Sequence, residues 1–528
     1  MFAATARAAP TILSTEYLGP FLGHDAPLDE ANRSPRALHF YGTDLGFSYQ
    51  HAGEIVFLFG DSWATESYSP IQPSTAGRFD DTWGTLSLSA WKDGAGIDRD
   101  HLPHPVLPRL GGTDEVAAID PGQVMDLGKT PLHGFSNGRA EFALFGFGKP
   151  QGCVADRDCT SGLACDAGLG YAGVPCTEEG GATTACIDGI PGCHADTMTG
   201  KDGRAIAHSG LCVVAGASTD RSERSRLSRV AMLLRLGARR QDEPARYDSI
   251  RWMTNRFINA TARTVQRFDP RSIGGPAADY RNAEAAGPFR KVLLWGRPGF
   301  AGIRRNGHSL PLYFGYADLP AASTPTWRMH YFTGLRAGVP QFSGRESEAV
   351  ALDLDDSSPG TQTEEQHDIV NQMSVVWIGR LHKWVMLYGG GSSDLPLPFA
   401  PACGVLQLFA GNECREVDME DGAIRMRTAD EPWGPWSPAQ TVIAAGETRR
   451  AAGQYGPGGA LHHPDCSEAS CASHTRTPFY RAKEYGFFYA ANIIEPWITD
   501  RAGTIELLWN VSTWDPYRVV LMRTRIKP

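Results

Sequence analysis

Two aspartates carry the strongest suggestion of chemistry. Asp44 and Asp61 lie in the stretch Tyr41 to Trp63, YGTDLGFSYQHAGEIVFLFGDSW, one at the start of an apolar run and the other at the end of the next. The polar turn between the runs, Gln50, His51, Ala52 and Gly53, predicts a β-hairpin. Such a hairpin delivers both carboxylates to one end, as general acid and base chemistry requires. Glycoside cleavage is one such reaction: a carboxylic acid protonates the leaving oxygen while a carboxylate acts as base or nucleophile on the opposite face. Adjacent antiparallel strands lie about 5 Å apart, so the pair fits the short separation of a retaining site or, with a stagger, the longer inverting one. Asp beside Gly also serves as a turn or strand-cap residue.

Other side chains could complete a site. His133, in TPLHGFSN, precedes a predicted strand and could meet a sugar or tune an aspartate. Gln372 and Ser374, in NQMSVVW, share one face of a strand that points to either core or cleft. Asn492 and Trp497 in AANIIEPW, with Trp514 and Tyr517 in STWDPY, combine flat rings with amide and hydroxyl groups, a surface that suits a sugar ring, although each ring also suits core packing. Glu346 and Glu348 are spare carboxylates.

No metal or cofactor is expected. His462 and His463 with Asp465 are adjacent in an extended HHPD segment, where neighbouring side chains point apart. The acidic stretch Asp353 to Glu364 has the outer spacing of a calcium loop but carries Ser358 where that loop needs Gly, so structural Ca2+ has no supporting ligand set. Gly-rich phosphate cradles, GxSxG elbows and kinase motifs are missing, which disfavours nucleotide and serine-hydrolase chemistry.

The elements that would position these residues are short strands. Runs such as Glu54 to Gly60, Lys291 to Trp295, Val370 to Ile378, Lys383 to Tyr388, Glu506 to Asn510 and Arg518 to Arg525 are bounded by Gly, Pro, Asp and Asn. About fourteen such runs without alternating helices predict an all-β fold, and their number suits a five-bladed β-propeller better than one small sandwich. The nearest candidate for a helix is Glu243 to Arg263, despite Pro244 and weak periodicity. Residues 1–40, with four prolines, read as an irregular lead; residues 41–528 read as the propeller, whose last strand could close the ring against N-terminal strands.

Seven of the eleven cysteines fall between Cys153 and Cys212, in a Gly- and Asp-rich segment too poor in large apolar residues to bury much core. Residues 153–212 therefore read as a disulfide-rich insertion, with Cys403–Cys414 and Cys466–Cys471 as local staples. Zinc is disfavoured because no CxxC occurs. Disulfides imply export, although the N-terminus shows no apolar signal core, so a signal peptide is absent or already removed. No window suits a membrane span. With 59 Asp+Glu against 50 Lys+Arg and no basic stripe, nucleic acid is not an expected partner.

The pair GTDLG and FGDSW, the DDTWG at Asp80 to Gly84 and the C-terminal LWNVSTWDPYRVVLMRTRI resemble the domain of unknown function 4185, associated with glycoside hydrolase family 183. The resemblance runs from about Leu18 to Ile526, with Cys153 to Cys212 outside it. It implies a five-bladed propeller and an endo-acting D-arabinanase that cuts arabinan of mycobacterial cell walls, with two essential aspartates matching Asp44 and Asp61. The expectation is thus a secreted, monomeric glycosidase acting on an arabinofuranose polysaccharide, with Asp44 as base or nucleophile and Asp61 as acid. The alternatives are a non-catalytic carbohydrate-binding propeller and a protein-interaction propeller.

Overall fold

In a computed structural model of the chain, the strands Gly42–His51 and Glu54–Trp63 form the expected hairpin. Ala52 and Gly53 turn it with φ of 50° and 84°, the left-handed pair that a two-residue hairpin loop demands. The described residues are, almost without gaps, 10–23, 42–63, 81–109, 129–147, 231–236, 245–269, 290–297, 311–320, 327–354, 369–391, 423–444, 487–514 and 517–528, with shorter stretches between them. Among them there is no α-helix, and no helix long and apolar enough to cross a membrane.

Five sheets lie outside the cysteine-rich segment, and their main strands follow one another antiparallel in chain order. Sheet one is the hairpin plus Thr82–Ser87. Sheet two begins with Lys129–Ser136 and Glu141–Phe147, sheet three with Asn259–Val265 and Lys291–Arg297, and sheet four with Ile369–Ile378 and Lys383–Gly391. Sheet five starts with Phe487–Ile493, Thr504–Trp514 and Arg518–Lys527, and is completed by Thr11–Leu22, which pairs with the last of these from Thr11 opposite Lys527 to Leu22 opposite Val519.

Each sheet packs face to face on the next, and alternation along the second strands divides their side chains between two neighbours. In sheet one, Val56 and Leu58 meet Ala143 and Phe145 of sheet two, while Ile55, Phe57 and Phe59 meet Phe21, Val519 and Leu521 of sheet five. Leu144 of sheet two meets Leu294 of sheet three; Trp295 of sheet three meets Trp384 of sheet four; Leu387 of sheet four meets Leu507 of sheet five. EIVFLFG is apolar at nearly every position because both its faces are covered. Fully burying one such side chain stabilises by about 1.5–3 kcal/mol.

The first strand of each sheet lies beside the first strand of the next, and that of sheet five lies beside that of sheet one. Those of sheets one and two run the same way: Phe47 is beside His133, Tyr49 beside Gly134 and His51 beside Ser136. Gly42 pairs with Trp63, and Thr130 with Gly146, so Asp44, Asp61 and the point where residues 148–230 leave sheet two share one end. That segment returns as Ala231–Leu236, which pairs directly with Glu141–Phe147. Its described parts form three small sheets; Cys165 is disulfide-bonded and stands opposite Cys212 in the register.

Two expectations are corrected. The lead contains a strand, Thr11–Leu22, whose half-exposed polar positions and Pro20 suit the edge of sheet five. The helix candidate is instead the strands Ala245–Thr254 and Asn259–Val265, because Asn259–Val265 is buried at every position by sheets on both sides. The four cysteines expected to form local staples, His462, His463, Asp465 and residues 355–364 lie outside the described residues.

Candidate active site

Asp44 is buried at 7% exposure, and its register partner is Gly60, so Asp61 is the diagonal neighbour of Asp44 across the hairpin. The ladder does not run evenly here. Register shifts fall between Gly42 and Asp44 and between Leu45 and Phe47, and Leu45 and Asp61 have φ of 65° and 34°. Non-glycine residues rarely adopt such angles in a strand, and bulges that re-aim side chains concentrate next to active sites. Further shifts lie near the starts of the first strands of sheets two, four and five, at Pro131/His133, Val370/Met373 and Tyr489/Asn492. In the last of these Ala490 has φ of 53°.

Glycine is required opposite Asp44. A Cβ on Gly60 would stand 2.7 Å from Leu45 Cδ1 and 2.8 Å from Asp44 Oδ1. Thr43 Oγ1 ties the two strands together by donating to the Gly60 carbonyl at 2.9 Å and lying 2.7 Å from Ser62 Oγ.

Sheet five supplies the rest of the surroundings. Tyr489 Oη donates to Asp44 Oδ2 at 3.0 Å, and Ser512 Oγ accepts the Leu45 N–H at 2.7 Å. Tyr517 hydrogen-bonds to Tyr489, so the three groups form a chain. Burial first, and then the negative charges of Asp44 and Asp61, push both phenols well above their ordinary value. Both phenols therefore keep their protons and remain donors at neutral pH. Two carboxylates acting on the same two phenols define one cluster of Asp44, Asp61, Tyr489 and Tyr517.

The remaining expected residues divide. His133 is buried beside Phe47; its Nδ1 lies 2.8 Å from the Gly134 carbonyl, which can only accept, so the proton sits on Nδ1. Burial, and then the charge of Arg263, hold the imidazole down at about 3. Burial lowers Arg263 to about 9, and Arg263 pairs with Glu495. These three line a polar cavity with Ser48, Gln50 and Ser136, towards the far end of the first strands from Asp44. Gln372 and Ser374 are buried on the first strand of sheet four.

Asn492 and Trp497 prove to be structural. Asn492 is fully buried and spends its amide on the Gly46 carbonyl at 3.0 Å, Ser48 Oγ at 3.1 Å and Asn510 Oδ1 at 2.8 Å. Trp497 is fully buried in the core between sheets five and one, its indole N–H donated to the Trp91 carbonyl, so it offers no platform to a sugar. Tyr517, expected as a sugar platform, is buried at 7% exposure and faces Tyr489 instead. The backbone of Trp514 ends its strand, and its side chain lies outside the described residues. Glu346 and Glu348 occupy a short exposed turn, bonded to Thr254 and Ser343 respectively, apart from the aspartates.

Sequence reasoning missed Tyr489, Asn510 and Ser512. The signal available was a hydroxylated ring in FFYAAN, a first strand otherwise apolar up to its Asn. Among the described residues no group of three or more His, Cys, Asp or Glu could hold a metal ion.

No family model matches the chain, and no curated protein matches it. Among solved structures it is similar to a Bacteroides ovatus protein described as a candidate hydrolase, at 10% identity over 93% of this chain and 87% of that one, with a TM-score of 0.37. It is also similar to an N-acetylgalactosamine deacetylase from F. plautii in complex with blood group B trisaccharide, at 11% identity, 97% and 94% coverage and a TM-score of 0.32. A third is a Trypanosoma rangeli sialidase holding 2,3-difluorosialic acid as a covalent intermediate, at 10% identity, 98% and 59% coverage and a TM-score of 0.32. All three likenesses are remote.

Proposed function

We propose that this chain is a glycoside hydrolase built on a five-bladed β-propeller, cleaving arabinofuranosidic linkages with Asp44 and Asp61. The observation that carries the reading is the carboxylate pair itself: two aspartates on neighbouring strands, held by bulges and left-handed backbone at one end of the sheets. Five sheets packed in cyclic order, with Thr11–Leu22 completing the last, support the propeller. The likeness of GTDLG, FGDSW and DDTWG to family 183 supports D-arabinan of mycobacterial arabinogalactan or lipoarabinomannan as substrate, cut internally.

In this mechanism Asp61 gives a proton to the leaving glycosidic oxygen. Asp44 either activates water or attacks the anomeric carbon, and water then completes the hydrolysis. The same reading makes the protein an exported monomer with a disulfide-linked insertion. The test is incubation with arabinogalactan and a panel of plant arabinans, followed by product analysis, for the wild type and for Asp44→Asn and Asp61→Asn. Expected are oligosaccharides from mycobacterial arabinan, lost in both variants while glycan binding persists. No released oligosaccharide from any substrate would overturn the proposal.

A further inference from the structure

The structure distinguishes the two carboxylates by their surroundings. Asp44 is nearly buried, whereas Asp61 is partly exposed. Burial by itself favours the protonated form of a carboxylic acid, so Asp44 would be the natural proton carrier if nothing opposed it. The pair of phenols from sheet five opposes it. Tyr517 hydrogen-bonds to Tyr489, and Tyr489 donates to Asp44 Oδ2 at 3.0 Å. The order matters: with Tyr517 donating to the Tyr489 oxygen, the proton of Tyr489 is directed at Asp44, and a phenol so directed favours a carboxylate over a carboxylic acid.

We infer that the chain Tyr517–Tyr489 fixes Asp44 as the ionised member of the carboxylate pair, and so as base or nucleophile, leaving Asp61 to carry the proton. The assignment of catalytic roles rests on the glycosidase reading above; the protonation order does not. Tyr489 and Tyr517 act through Asp44 and are positioning residues. The raised phenols described above fit this arrangement, since a donor that ionised would repel the carboxylate. Their backbone setting fits it too. Ala490, next to Tyr489, has φ of 53° at a register shift, and Gly42 leaves room for Tyr517, whose carbonyl oxygen would lie 2.6 Å from a Cβ there. Titratable groups at this end include Asp61 and the buried Asp81 on the same sheet as Asp44 and the two phenols of sheet five, while His133 of sheet two lies beside Phe47 and Arg263 of sheet three acts on His133.

The experiment is a carboxyl carbon-13 titration of the aspartate-labelled full chain, with Asp44→Asn and Asp61→Asn assigning the two resonances. It is repeated in Tyr489→Phe and Tyr517→Phe, alongside the pH profile of kcat/KM on arabinan. Asp44 should ionise before Asp61 in the wild type. Its midpoint should rise by about one pH unit in Tyr489→Phe, as loss of a bond to a charged group implies, and by less in Tyr517→Phe. The acid limb of the rate profile should move with it. An unmoved Asp44 midpoint in both variants, or Asp61 ionising first, would overturn the inference. Should Tyr489→Phe fail to fold, the Tyr517→Phe midpoint decides alone. If Asp44 titrates as expected and no arabinan is cut, the protonation order stands and the glycosidase reading falls.

Discussion

Asn492 and Asn510, on neighbouring strands of sheet five, both donate to the carbonyl of Gly46, at 3.0 Å and 2.9 Å. Asn492 also accepts the Ser48 N–H at 3.4 Å, so two amides from one sheet hold the backbone just beyond Asp44 in another. Gly46 needs this clamp because its φ of 80° interrupts the ladder of sheet one. Replacing Asn492 by Ala leaves these buried groups without their amide, and stability should fall by about 2–4 kcal/mol. Urea unfolding of the variant measures this; a loss below half a kilocalorie, with sugar affinity weakened instead, would return Asn492 to the binding surface.

Gly60 offers a separate test of how closely Asp44 must be placed. In Gly60→Ala the new methyl must displace Leu45 or the Asp44 carboxylate, both closer than 3 Å. Arabinan hydrolysis should drop by about a hundredfold, with a stability cost of about 1–3 kcal/mol. Steady-state kinetics and thermal unfolding on the same preparation separate the two effects. Wild-type turnover would show that Asp44 is not the reacting group.

His133 should make the fold sensitive to acid. Its imidazole, with an ordinary value of 6.5, is held at about 3 in the folded protein. Between those values the unfolded chain binds a proton that the folded one refuses. The stabilisation is therefore complete above about pH 6.5 and is lost progressively as the pH falls towards 3. In His133→Gln the slope of unfolding free energy over that window should flatten, whatever the absolute loss. Parallel slopes for variant and wild type would contradict the buried neutral state.

Removing residues 1–22 should expose the whole length of Arg518–Lys527 as an unpaired edge and uncover Val519 and Leu521, which are fully buried. Such an edge invites pairing with another chain. Size-exclusion chromatography should show aggregates in place of the wild-type species. A monodisperse truncated protein with cooperative unfolding would mean that the N-terminal strand is dispensable.

Strands covered on both faces were easy to read, since EIVFLFG and KVLLW have no polar side to confuse the period. Thr11–Leu22 was hidden because Ser14 is exposed and Thr15 and Glu16 are only half-buried at the edge of its sheet, leaving a weak pattern that Pro20 weakens further. Asp44 and Asp61 were legible because residue type and hairpin geometry place them together without knowledge of any other sheet. Tyr489 was not, because its role depends on sheet five lying beside sheet one, about 440 residues away in the chain. Asn492 and Trp497 show the converse. An amide and a flat ring look alike whether they face a sugar or the core, and only the neighbours, Gly46 and Trp91, decide.

Glu141–Phe147 and Ala231–Leu236 pair with each other, so the long excursion between them begins and ends on one rung of a ladder. Closing a flexible loop costs only about 0.6 kcal/mol more for each doubling of its length. The length of that excursion therefore weighs little on the frame. That segment has the placement of an insertion: both its ends are fixed by one pair of strands, so its length alone puts little demand on the registers of sheet two. Because it opens at the end shared with Asp44 and Asp61, its length can vary beside the carboxylate pair at little cost to the strands that hold the pair.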